Sequence, residues 1–77
     1  MQTIDFSLDP GREFVELNQL LKLVGLVDSG GAGKQVVASG AVTVDGAVEW
    51  RKTAKIRAGQ RVALGEVTIR VVGDDAG

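Results

Sequence analysis

Neither cysteine nor histidine occurs anywhere in the chain. The first absence excludes disulfides, thiolate zinc sites and cysteine nucleophiles; the second removes imidazole bases and the commonest metal ligand. Most enzyme templates fail on these two counts, and no carboxylate pair sits on a rigid element beside a nucleophile. Long apolar runs are missing too. The longest uncharged stretch, Gln35 to Val44, has ten residues and is broken by Ser39, Gly40 and Thr43, against the roughly 18 that suggest a membrane span. Met1 to Asp5 lacks the cationic and apolar regions of a signal peptide. The expectation is a cytoplasmic soluble protein with no catalytic residues, no metal and no cofactor.

What is present is the composition of a small globule: 77 residues, 44% hydrophobic and 25% charged. A chain of this size buries only about 60% of the surface that its unfolded form exposes, so its core is thin. The formal net charge of -1 argues against a nucleic-acid binder if taken as a bulk property. Its distribution says otherwise. Residues 1–50 carry three basic against seven acidic groups, a balance of -4, whereas residues 51–70 carry six basic groups against Glu66 alone, a balance of +5. Asp74 and Asp75 then close the chain with two negative charges. A partner phosphate within roughly a Debye length, about 8–10 Å, feels such a local field rather than the net charge. The plainer reading of the same residues is a solvated loop with scattered cations.

Thr3 to Phe6 alternates polar and apolar side chains and predicts a short strand, followed by a turn at Asp9-Pro10-Gly11. Phe14, Leu17, Leu20, Leu21 and Val24 recur at helical spacing and leave Glu16, Asn18, Gln19 and Lys22 for an outer face. The start of this helix is open, since Phe14-Val15 equally reads as the end of a strand and no capping residue decides it. Gly25 is a natural stop. Asp28-Ser29 offers cap oxygens to a second short helix with Ala32, Val36 and Val37 as its apolar stripe, ending at Ser39-Gly40. Beyond Gly40 the period becomes two. Val42, Val44 and Val48 are expected on one face around Asp45-Gly46, the preferred two-residue turn of a hairpin. Ile56, a turn at Ala58-Gly59-Gln60, Val62 to Leu64, a reversal at Gly65-Glu66, and Val67, Ile69 and Val71 complete the pattern. The expectation is an α+β fold, two short helices packed on a small, mostly antiparallel sheet. It forms a single domain over 1–77, with a flexible acidic tail over 73–77.

Two motifs invite a chemical reading. Gly30-Gly31-Ala32-Gly33-Lys34 looks like a phosphate-binding loop, but the position that needs glycine holds Asp28 and the one that needs serine or threonine holds Gln35. The glycines read instead as a first turn that lets the second helix approach the first closely, with its N–H groups free to hold an isolated phosphate. Arg51, Lys52, Lys55 and Arg57 follow Trp50, the sole tryptophan. Alternation puts Trp50 on the face of Val48 and Val44, which favours a core or core-edge indole; the alternative is an exposed indole that stacks on an unpaired base.

The runs Leu17-Asn18-Gln19-Leu20-Leu21-Lys22-Leu23, Asp28 to Lys34, Gly40 to Gly46, Glu49-Trp50-Arg51-Lys52, Lys55-Ile56 and Gly59-Gln60, in that order and spacing, resemble the S-four-type RNA-binding domain, also called the alpha-L motif. Within it, they look most like the short stand-alone YbcJ-like members. The resemblance covers residues 14–72 as the RNA-binding core. It implies a two-helix layer on a small sheet that binds structured RNA, ribosomal or transfer RNA among the possible targets. The RNA contacts it implies are Lys22, Lys34, Arg51, Lys52, Lys55 and Arg57, beside the helix start at Ser29-Gly30. Gly30 stands where larger relatives commonly have arginine, and Asp45 where asparagine is usual. Two other readings fit parts of the pattern. A small sulfur-carrier or ubiquitin-like protein would also be short and β-rich, but its chemistry needs a terminal Gly-Gly and this chain ends Asp75-Ala76-Gly77. A protein-interaction adaptor is the third.

Overall fold

A computed structural model describes residues 1–73; Asp74 to Gly77, most of the acidic tail read from the sequence, lie outside the described residues. Seven strands and two helices follow in the order β1 (Gln2–Ser7), β2 (Val15–Glu16), α1 (Leu17–Leu23), α2 (Gly30–Ala38), β3 (Val42–Val44), β4 (Ala47–Val48), β5 (Lys55–Ile56), β6 (Arg61–Leu64) and β7 (Val67–Val72). Five strands form one sheet in the order β1-β7-β6-β3-β4, and β2 pairs with β5 in a second. Every pairing is antiparallel except β1 with β7, which runs parallel from Gln2 opposite Val67 to Ser7 opposite Val72. The mostly antiparallel α+β expectation therefore holds. The parallel edge is the part that local pattern did not reveal, because its two strands come from opposite ends of the chain.

Alternation gives the large sheet one apolar face. Val42, Val62, Ile69 and Val71 are buried there and form one cluster with Leu17, Leu20 and Leu21 of α1 and Val37 of α2. A seven-residue helix is too short to hold itself together in water. Three fully buried leucines, each worth about 1.5–3 kcal/mol, anchor it instead. Its end follows the glycine rule. Gly25 has φ +83°, its N–H donates to the Lys22 carbonyl and the Leu26 N–H reaches back to the Leu21 carbonyl, the paired bonds of a Schellman stop. Ser29 caps α2 by accepting the Ala32 N–H at 3.1 Å.

Two sequence expectations about faces are corrected. The β3–β4 turn pairs Val44 with Ala47 and Thr43 with Val48, so Val48 lies on the face opposite Val42 and Val44 and is exposed. A two-residue turn carries pairing across in mirror order, so residues four apart end on opposite faces. Asn18, expected on the outer face of α1, is buried at 3% exposure. The helix-to-helix contact covers it.

Candidate nucleic-acid interface

The start of α1 carries no side-chain cap; Glu16 occupies the cap position without making one. The exposed N–H groups of a helix start need acceptors, and here they come from far along the chain. Leu17 N–H donates to the Ala54 carbonyl at 2.9 Å and Asn18 N–H to the Lys52 carbonyl at 3.2 Å. Ala54 and Ile56 are buried beneath this contact, and Lys55 pairs with Glu16 across β2 and β5. With its carbonyls and apolar side chains turned inward, the segment leaves Arg51, Lys52, Lys55 and Arg57 exposed.

Asn18 ties this segment to the second helix. Its side-chain amide donates to the Gly30 carbonyl at 3.4 Å, and its own carbonyl oxygen lies so close to α2 that a Cβ on Gly33 would stand 2.6 Å from it. Gly33 is the close-approach residue that the glycine-rich turn foretold. Asn18 thereby joins Gly30, next to Ser29 in the chain, through its side chain and Lys52 through its backbone N–H. Lys22 follows Asn18 by one helical turn and Lys34 follows Gly30 by one turn, so each extends from a residue at the helix contact, and both are exposed. The Ser29 hydroxyl oxygen accepts the Ala32 N–H and so holds the start of α2.

The other cations are placed differently. Lys55 Nζ sits 5.0 Å and the Arg57 guanidinium 5.9 Å from the centre of the Phe14 ring, within the range at which an aromatic face attracts a cation. Seven of the eight predicted residues thus fall into two groups joined by the segment 51–57, one around Asn18 and one over Phe14, while Arg51 is engaged by Glu49. Arg51 is 80% exposed, yet its Nε lies 3.1 Å from Glu49 Oε2 and its Nη2 donates to Glu49 Oε1 at 3.2 Å. The Arg51 side-chain hydrogen bonds, followed by its backbone N–H, hold the Glu49 carboxyl below its ordinary 4.5. Part of the local positive charge is neutralised by this pair.

Trp50 is not a core residue. It is 62% exposed, and the reason lies at Val48, whose face it was expected to share: the two-residue turn directs that residue away from Val42 and Val44. Its ring lies against Gly40: a Cβ at that glycine, whose φ is +81°, would stand 2.7 Å from Cη2. Asn18 is the residue that the sequence reading missed. A signal was there, since at about 100° per residue it is only about 60° from Leu21 around the helix, the polar position nearest that edge of the apolar stripe.

Among the described residues, no group of three or more Asp, Glu, His or Cys is arranged to hold a metal ion, and no helix is long and apolar enough to cross a membrane.

Comparison with known proteins converges on one family. The S4 domain matches residues 8–72. YbcJ of Escherichia coli strain K12, whose name gives it as a candidate RNA-binding protein, is 52% identical over 58 residues, 75% of this chain and 83% of its own length. YbcJ of Shigella flexneri matches at the same identity and coverage. The solution structure of E. coli YbcJ, described as revealing an alfaL motif involved in RNA-binding, superposes with a TM-score of 0.70 at 46% identity. That match covers 94% of this chain and 90% of the other.

Proposed function

The chain belongs to the S4 domain family, and from that premise we propose that it is a non-catalytic protein that binds structured RNA in the cytoplasm. Lys22, Lys34, Arg51, Lys52, Lys55 and Arg57 contact phosphates, and Ser29-Gly30 presents the start of α2 beside them. Double-helical RNA is read mainly through shape, phosphates and 2′-hydroxyls, which suits a small cationic surface. Ribosomal or transfer RNA supplies such helices and is the partner class proposed. No cofactor takes part. The observation that carries the reading is the capping of α1 by the Lys52 and Ala54 carbonyls: it fixes the basic segment against the same helix that packs on the α2 start.

The test is the double change Arg51→Glu and Lys52→Glu, with thermal melting alongside titration with a structured RNA. Both side chains are exposed, and such substitutions usually alter stability by less than about 0.5 kcal/mol. The variant should melt close to the parent and lose most of its RNA affinity. A variant that melts normally and binds like the parent refutes this surface.

A further inference from the structure

We infer that Trp50 is a stacking platform for one unpaired nucleotide next to the helical RNA gripped by the basic surface, an inference that rests on the RNA-binding reading above. Three observations carry it. The indole is 62% exposed, so the large apolar ring gains little from burial in the free protein. It is nonetheless seated: the contact with Gly40 leaves no room for a Cβ, so part of the ring is backed by main chain while the rest faces solvent. Finally, Arg51 and Lys52 follow it directly, and Glu49 on its other side holds the Arg51 guanidinium in a defined orientation.

A ring fixed in position, open to solvent and followed by two cations is what an unpaired base needs, since the base stacks while its phosphates meet the cations. A fully paired helix offers no free base face. The geometry therefore assigns Trp50 a preference that the phosphate contacts cannot supply: RNA helices that carry an unpaired base over those that do not. An apolar protein face covering Trp50 would not call for cations on the same stretch, and the charge favours RNA.

Trp50 is the sole tryptophan, so its fluorescence reports on this site alone. The probes are a hairpin RNA with a single bulged adenosine and the same hairpin with that adenosine deleted. The bulged RNA should quench the indole and bind more tightly, while the deleted form leaves the fluorescence nearly unchanged. Trp50→Ala should weaken binding of the bulged RNA by about five-fold or more and leave the deleted form unaffected; Trp50→Phe should keep most of the preference. The salt dependence of binding should be the same in parent and Trp50→Ala, because a stacked base releases no counterions.

If both RNAs bind the parent equally and neither quenches Trp50, the stacking inference fails while the RNA-binding reading stands. If neither RNA binds the parent at all, both fail. Self-association that is lost in Trp50→Ala, with no quenching by RNA, reassigns the indole to a protein contact and overturns the inference. The parent's fluorescence response decides the matter even if Trp50→Ala folds poorly.

Discussion

At the scale of single residues, the two helices are held together by the lack of a methyl group. A Cβ on Gly33 would lie 2.6 Å from the Asn18 carbonyl oxygen and 3.1 Å from its Cα, and neither atom can swing aside as a flexible side chain would. Gly33→Ala must push α2 away from α1, at a cost of about 1–3 kcal/mol. Gly31 is the control. It lies in the same helix, but an added Cβ would meet only the Ser29 hydroxyl at 3.8 Å. Gly31→Ala should be neutral or stabilise by about 0.4–1 kcal/mol, since alanine has less freedom to lose on folding. Urea denaturation of the two variants measures the contrast, and equal midpoints would show that the helices are not in this contact. Gly33→Ala should also weaken RNA binding, because moving α2 separates Lys34 from Lys52.

At the scale of elements, the β3–β4 hairpin shows why some of the fold was legible. Asp45 and Gly46 both have positive φ, 51° and 87°, the backbone of a type I′ turn, and the dipeptide announces it. The Asp45 carboxylate does further work across the sheet. Its Oδ1 accepts the Arg61 N–H at 2.9 Å, while the Asp45 N–H donates to the Arg61 carbonyl at 2.8 Å. Asp45→Asn keeps an acceptor and tolerates the left-handed backbone, so it should change stability little. Asp45→Ala loses both and should cost about 1–2 kcal/mol. The Arg61 amide should exchange faster in the alanine variant than in the asparagine one; identical exchange would contradict the role given to the carboxylate.

The same contrast between local and distant causes separates what the sequence disclosed from what it did not. Gly25, Ser29 and Asp45-Gly46 act within a few residues of themselves, so their chemistry is visible in the string. The start of α1 was ambiguous because its cap is supplied by Lys52 and Ala54, which only the folded chain brings near. Asn18 read as a surface residue because its place beside the apolar stripe does not by itself show that α2 will cover that edge. Trp50 read as inward because it was assigned the face of Val48 and Val44, whereas the two-residue turn sends Val48 to the opposite face. In the candidate site, the residue types and their order were legible, whereas their division into a group around Asn18 and a group over Phe14 came from tertiary packing.

At the scale of the whole molecule, the positive charge of residues 51–70 does not all face one way. By alternation along β6 and β7, Arg61 and Arg70 point away from the face that packs on the helices. They lie opposite each other in the register, and Arg70 Nη1 is 3.7 Å from Asp5 Oδ1 on β1. Arg51 is partly neutralised by Glu49, which leaves Lys22, Lys34, Lys52, Lys55 and Arg57 as the cations on the proposed surface that no carboxylate among the described residues pairs with. If about four of them meet phosphates, each displacing about 0.7–0.9 of a counterion, log K should fall against log salt with a slope near 3. The paired changes Arg61→Gln and Arg70→Gln remove two positive charges from the whole protein but none from that surface, so they should leave the slope unaltered and lower affinity only slightly through the long-range field. Lys52→Gln and Lys55→Gln remove the same total charge and should lower the slope by about 1.4–1.8. Measuring both pairs by titration across a range of salt separates net charge from surface charge. Equal losses of slope would mean that RNA senses the protein only as a diffuse charge, and the assignment of a defined helix-side surface would fall.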